Sequence, residues 1–290
     1  MTHTSCIILN YNDADTTLQL VNEIRNYSML NSIIVVDNHS TNQSYESFLK
    51  VADEKVKVIQ TSNNGGYGFG NNEGIRYAYK NLNADYVLVA NPDVHFTNEC
   101  VKGMVVFLKE NLETAICAPK ALKPSGEKQN LIAWKLQNKW DYAFSASMFY
   151  LKFLSNKFYK ESYLENKDWV GVDVVPGSLL MINAHYMMKY GMYDEANFLY
   201  SEEEMLAIKF RKANLKTVLL LNETYIHEHS VSISKSFPSE INKKKMNLNS
   251  RLFVLNKYYN ASSGQKKWFK RIAKLALIEN KLIFKIKGYN

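Results

Sequence analysis

The apolar residues of this chain fall into short β-branched runs separated by segments in which they recur at helical spacing. Residues 4–10 (TSCIILN) and 32–37 (SIIVVD) are runs of the first kind, and between them Leu18, Val21, Ile24 and Tyr27 keep the spacing of one helix face. The unit repeats. A helix over 43–53 leads to a strand at 56–60 (VKVIQ), and a helix over 73–82 leads to a strand at 85–90 (DYVLVA). Strands alternating with helices predict a parallel sheet with helices on both faces, because parallel neighbours need a crossover. Residues 119–168 are rich in Tyr, Phe, Trp and Lys and show no clear period. Order returns with 172–182 (VDVVPGSLLMI), a helix near 201–213, and strands at 216–221 and 223–229.

In such sheets ligands gather beyond the carboxyl ends of the strands. Those ends are polar here. The first is followed by Asn10, Tyr11 and Asn12, the second by Asp37, Asn38, His39 and Ser40, the third by SNNGGYGFGNN (62–72), and the fourth by Asn91, Pro92 and Asp93. Asn-Pro-Asp is ordinary turn chemistry by itself, but four polar tips in succession predict a site along this edge. The glycine segment reads either as a flexible loop or as a backbone that passes close to a ligand, where side chains would collide. It is not a dinucleotide fingerprint, because Gly66-x-Gly68 is followed by Phe69, Gly70 and Asn71, and it is not a P-loop, because no Gly-Lys-Ser/Thr follows.

Length and composition fit one large α/β domain with a tail: 290 residues, 46% of them hydrophobic. No run approaches the ~18 apolar residues of a membrane-spanning helix, and the N-terminus lacks the basic region of a signal peptide, so a cytoplasmic chain is expected. Cys6, Cys100 and Cys117 have no Cys-x-x-Cys spacing and read as reduced packing residues. The net charge of +8 is uneven: from 240 to 290 there are thirteen Lys or Arg against Glu240 and Glu279. No nucleic-acid-binding motif accompanies this basicity, and no nucleic-acid partner is expected.

Seven motifs together resemble the inverting family 2 glycosyltransferases: NYN (10–12), VVDNHS (35–40), NNGGYGFGNNEGI (63–75), ANPDV (90–94), VPGSLLMI (175–182), FLYSEEEML (198–206) and HEHSVS (227–232). Their order matches over residues 4–235, and within the family the chain is most similar to the rhamnosyltransferase-like branch that builds bacterial surface polysaccharides. The resemblance implies a GT-A fold: an α/β, Rossmann-like, mostly parallel sheet flanked by helices. It divides the chain into a glycosyltransferase domain at 1–235, with a nucleotide-sugar half (1–118) and an acceptor half (119–235), and a basic helical tail at 236–290.

The resemblance also implies roles. Asp93 would hold Mg2+ or Mn2+ against the diphosphate of the donor, with His227 or His229 as a further ligand, and Asn91 stands where the family has the first Asp of its Asp-x-Asp motif. Asp37 would meet the pyrimidine, flanked by Asn10, Tyr11, Asn12 and Asn38, with Asn64, Gly65, Gly66 and Asn71 of the glycine segment beside the nucleotide. A carboxylate accepts from the N3–H of uracil or thymine and not from unprotonated cytosine N3, which favours a UDP- or dTDP-sugar. Glu203 would be the catalytic base, with Glu202 next to it, and Gly177 and Ser178 would border the acceptor. Glu203 replaces the family's Asp, and Met205 replaces a further Asp two residues on. The implied reaction moves a sugar, rhamnose by analogy, onto a saccharide acceptor carried on a lipid. A catalytically silent nucleotide-sugar-binding scaffold is the alternative that Asn91 and Met205 motivate.

In the tail, Trp268, Ile272 and Leu275, with Phe269, Ala276 and Ile283 nearby and lysines between them, form a basic amphipathic pattern. Such a helix lies on an anionic bilayer and would hold the enzyme at the inner face of the plasma membrane. Packing of this helix on its own domain is the competing reading.

Overall fold

The computed structural model describes residues 2–228 and 239–286. The first half is built from β1 (Thr4–Asn10), α1 (Ala14–Ile24), β2 (Ser32–Asp37), α2 (Ser44–Leu49), β3 (Val56–Gln60), α3 (Tyr67–Leu82), β4 (Tyr86–Ala90), β5 (Val94–His95) and α4 (Asn98–Glu110). The second half contains β6 (Thr114–Leu122), α5 (Lys139–Phe144), α6 (Met148–Phe153), α7 (Glu161–Leu164), β7 (Trp169–Val172), β8 (Leu179–Asn183), α8 (Ala184–Tyr190), α9 (Glu202–Lys212) and β9 (Lys216–His227). Two helices follow, α10 (Glu240–Lys257) and α11 (Ser263–Ile286).

One sheet runs in the order β3-β2-β1-β4-β8-β6-β9-β5, with β7 also on β9. The chain steps from β1 outward to β2 and β3 and then returns past both to β4. With right-handed crossovers this reversal puts α1 and α2 on one face and α3 on the other. It also opens a crevice beyond the carboxyl ends of β1 and β4, where the direction of winding changes. Strands β1, β2 and β4 are almost wholly buried, which accounts for their unbroken apolar runs.

The parallel sheet expected from the alternation holds for β3, β2, β1 and β4. Beyond β4 the sheet is mixed: β8 is antiparallel to β4 and β6, β6 and β9 are parallel, and β5 and β7 are antiparallel to β9. The two strands expected at 216–221 and 223–229 are one strand, β9, with an irregularity in its pairing to β6 between Leu220 and Thr224. All three cysteines are buried and unpaired, as the spacing implied.

The glycine segment is the main correction. It is not an open loop: α3 begins at Tyr67, six residues before the expected start, and the glycines let the helix settle on the sheet. At Gly74 an added Cβ would stand 2.6 Å from Ile7 Cγ2 and 2.9 Å from Val36 Cγ2. The tail is a second correction. Phe269 of α11 is buried with Val254 and Leu255 of α10, Tyr142 of α5 and Met205 of α9. Glu279 accepts from the backbone N–H groups of Met148 and Phe149, at 3.2 and 2.7 Å, and so caps α6. The competing reading, packing on the chain's own domain, therefore describes one face of α11, and α10 and α11 pack on the folded body.

Replacing Gly74 with alanine tests this packing against helix propensity. Propensity favours alanine by ~1 kcal/mol, whereas overpacking against β1 and β2 costs ~1–3 kcal/mol. Urea unfolding of Gly74→Ala should show a net loss of stability.

Candidate active site

The tips of β1 and β2 are knitted together by their own side chains. Asn10 donates from Nδ2 to Asp37 Oδ1 at 3.0 Å and to Ser40 Oγ at 3.1 Å. Its Oδ1 accepts from the Asp13 amide and from Thr17 Oγ1, which ties the tip to the start of α1. Asn12, at φ 58°, exchanges hydrogen bonds with Thr41. Tyr11 between them is partly exposed.

Asp37 is fully buried and takes further bonds from the Ser40 amide at 3.1 Å and from Gln60 Nε2 at 3.1 Å. In this conformation both of its oxygens are engaged by protein donors. Of its partners, Gln60 is exposed.

The glycine segment is likewise held by protein partners. Asn38 Nδ2 donates to Asn64 Oδ1 at 2.9 Å and to the Gly66 carbonyl at 3.1 Å. Gly66, at φ 91°, caps α3 so close to the Phe198 carbonyl that a Cβ would collide with it, and Tyr67 N–H donates to that carbonyl at 2.9 Å. A Cβ on the neighbouring Gly65 would meet the Phe69 ring. Asn71 is buried inside α3 with Nδ2 on the Tyr67 carbonyl, while its Oδ1 is buried without a partner. Gly66 thus seats the start of α3 against Phe198, and Asn71 is buried within the helix.

The carboxyl end of β4 meets β9 through β5. Val94 pairs with His227 in the antiparallel ladder, which brings His227 Nε2 to 3.4 Å from Asp93 Oδ1. Two adjacent ligands of an octahedral ion at ~2.1 Å are about 3 Å apart, so the pair fits one divalent cation. Carboxylate and imidazole suit Mn2+, and carboxylate oxygen suits Mg2+. No set of three His, Cys, Asp or Glu side chains with metal-site geometry occurs among the described residues. His229 lies outside the described residues.

His227 and Asn91 line a cleft of about 380 Å³ together with Tyr67, Gly177, Ser178, Glu202 and Glu203. Its central element is the turn before β8. Gly177 N–H donates to Glu203 Oε1 at 3.2 Å, while the Gly177 carbonyl accepts from Tyr67 Oη at 2.9 Å. A Cβ on residue 177 would stand 2.8 Å from Glu203 Oε1. Ser178 O accepts from the Asn91 amide at 2.8 Å, and Ser178 Oγ bonds Tyr225 Oη at 2.7 Å, so Ser178 braces the wall.

Tyr200 and Ser201 precede α9 in left-handed conformations, φ 74° and 66°, which are uncommon for side chains larger than glycine. They aim the acidic turn of α9 inward. Burial, then the charge of Glu204, push the Glu203 carboxyl up to about 7, against the opposing Gly177 hydrogen bond and Lys157 charge. Glu202 is likewise pushed well above the ordinary carboxylate range, by burial and by Glu203, and its Oε1 is buried without a partner. Glu204 is engaged by Trp134 Nε1 at 3.1 Å and Lys157 Nζ at 3.4 Å.

The family model of glycosyl transferase family 2 matches residues 5–180. The chain belongs to glycosyl transferase family 2. It is 28% identical over 211 residues to the low-salt glycan biosynthesis hexosyltransferase Agl10 of Haloferax volcanii, covering 73% of this chain and 62% of that protein's length. In structure it is similar to GalNAc-T7 with UDP, GalNAc and Mn2+, at TM-score 0.59, 13% identity and 78% and 44% coverage of the two chains. The mannosyltransferase PcManGT of Pyrobaculum calidifontis with GDP-Man and Mn2+ gives TM-score 0.59, 10% identity and 94% and 73% coverage. S. aureus TarS 1–349 with UDP-GlcNAc gives 0.53, 15% and 92% and 70%. These likenesses agree on a GT-A fold.

For this family 2 chain, Met205 has a packing explanation: it is buried against Tyr142, Val254 and Phe269, where a carboxylate would have no water. The motifs did not reveal the part played by α10. Asn247 and Arg251 line the cleft, one turn apart. The signal was present, since Arg251 falls in phase with the buried Leu248, Val254 and Leu255.

Burial of Glu202 predicts a pH effect on stability. Its folded pKa lies above the ordinary 4.5, so the folded state keeps a proton that the unfolded chain releases, and stability falls as pH rises above that value. Glu202→Gln should make this decline shallower between pH 5 and 8 in thermal unfolding. An unchanged slope would show that Glu202 is not held protonated.

Proposed function

We propose that this family 2 protein transfers a sugar, with inversion, from a UDP- or dTDP-sugar to a hydroxyl of a lipid-linked saccharide in surface-polysaccharide synthesis, with rhamnose as the sugar suggested by its motifs. One observation carries the reading: Glu203, held near neutrality, faces the cleft that also contains His227, the partner of Asp93. An inverting transfer needs one base to take the acceptor proton as the hydroxyl attacks opposite the departing diphosphate, and a carboxyl near 7 is matched to that task. Glu203 serves as this base, and Glu202, kept neutral beside it, does not compete for the proton.

Asp93 and His227 would hold Mg2+ or Mn2+, which neutralises the charge gathering on the leaving diphosphate. GalNAc-T7 and PcManGT, both structures with Mn2+, support this choice. At the nucleotide end, a uracil or thymine N3–H replaces the exposed Gln60 amide on Asp37. Met205, explained by packing, gives no support to a silent scaffold.

Two variants separate the roles. Glu203→Gln should retain donor binding and lose roughly 10²–10⁴ in turnover, whereas Asp93→Ala should lose the Mn2+-dependent part of the stabilisation that UDP gives in a thermal-shift assay. In the wild type kcat/KM should rise with pH through about 7, because only the deprotonated base works. Full turnover in both variants removes the mechanism.

The exposed apolar residues of α11 and α6 support a membrane-bound acceptor. On α11, Leu275, Leu282 and Ile286 are 59–86% exposed and share one stripe with Trp268, and on α6 Phe149 and Phe153 are 61% and 62% exposed. Lys267, Lys270, Lys274 and Lys281 flank the stripe, as an anionic bilayer requires. No described helix is long and apolar enough to cross a membrane. The chain should pellet with anionic vesicles and not with neutral ones, and a Leu275→Ser, Leu282→Ser double variant should remain in the supernatant. Equal pelleting of that variant, or self-association in place of vesicle binding, would discard this surface.

A further inference from the structure

Helix α10 brings a buried cation to the wall of the cleft. Arg251 is 8% exposed, and its guanidinium carbon lies 4.1 Å from the centre of the Tyr142 ring. Both of its hydrogen bonds leave from Nη2, to the Tyr142 carbonyl and, at 2.6 Å, to Ser145 Oγ. Nε is buried without a partner. Among the described residues no carboxylate forms an ion pair with this guanidinium; Glu204, on the same cleft, is engaged by Lys157 at 3.4 Å. Buried charges are normally paired, because an unpaired one loses its hydration without return. Lys244, on the same helix, is lowered to about 8 by burial and by the like charge of Arg251, with Glu279 opposing.

We propose that Arg251 receives a phosphate group of the acceptor. A planar guanidinium suits phosphate oxygens, and stacking on Tyr142 pre-orients it. Its anchors, Tyr142 and Ser145, belong to α5 and the residue after it, on the acceptor half, whereas the polar strand tips and Asp93 serve the donor. The acceptor class follows: a saccharide whose carrier or chain bears a phosphate, bound so that the phosphate reaches Arg251 while its hydroxyl reaches Glu203. This assignment rests on the transferase reading.

Titration of the full chain with glycerol 1-phosphate, in saturating UDP and Mg2+ and again without nucleotide, tests it. Wild type should bind the monoester in both conditions, Arg251→Gln should bind it roughly tenfold or more weakly, and Arg251→Lys should fall between them. UDP affinity should change less than about twofold in either variant. An equal loss of UDP affinity would assign Arg251 to the donor diphosphate and overturn the proposal, as would unchanged monoester binding in Arg251→Gln. If Arg251→Gln fails to fold, the wild type alone decides: no monoester binding at saturating UDP ends the proposal. A chain that binds the monoester but not UDP keeps the Arg251 site and loses the donor reading instead.

Discussion

The Gly177 peptide is bonded from both sides. Its N–H holds Glu203 and its carbonyl is held by Tyr67, so one residue links the acidic turn of α9 to the first turn of α3. The neighbouring Ser178 carbonyl takes the amide of Asn91 at the end of β4. The consecutive elements α3 and β4 and the distant α9 are thereby fixed around one turn. A side chain at 177 would occupy the place of the carboxylate, so the glycine is a condition of the arrangement. Because these bonds join α3 and β4 of the first half of the chain to the half that carries Glu203, the cleft between them is organised by the protein's own contacts.

The electrostatics follow from that constraint. Glu203 receives hydrogen bonds from its own amide and from that of Gly177, too little to offset its burial and the nearby Glu204 charge, and so its pKa is raised. Asp93 lies just past the tip of β4, buried beside His227, which lines the cleft. The two acidic groups therefore differ in kind: one is kept weakly basic near neutrality, the other faces an imidazole and suits a cation. A single cleft that keeps such groups apart can attract a charged donor and still remove a proton from a neutral hydroxyl.

How far this was legible in the sequence depended on the range of the interactions. Strands β1 to β4 were readable because each is an apolar run closed by polar residues, and the placement of Asn10, Asp37 and Asn91 at their ends followed from topology alone. The start of α3 was misread because glycine is a helix breaker in water, whereas Gly74 lies against Ile7 and Val36, a contact no local pattern contains. The meeting of Asp93 with His227 depends on antiparallel pairing of β5, only two residues long, with β9. Asp37 was correctly placed at a strand tip, but its burial under Gln60 came from the third strand. Arg251 stood in a lysine-rich segment that reads as a solvated tail, and only the docking of α10 on α5 and α9 makes it part of the cleft.

The central claim is that the Gly177 turn holds a carboxyl poised near neutrality. Carbon-13 NMR titration of the full chain, with glutamate labelled at the side-chain carboxyl carbon, measures this directly. The account predicts one resonance that titrates at about 7 and disappears on Glu203→Gln substitution. If the Glu203 resonance instead titrates near the ordinary 4.5, the turn does not prepare a base and the account is contradicted.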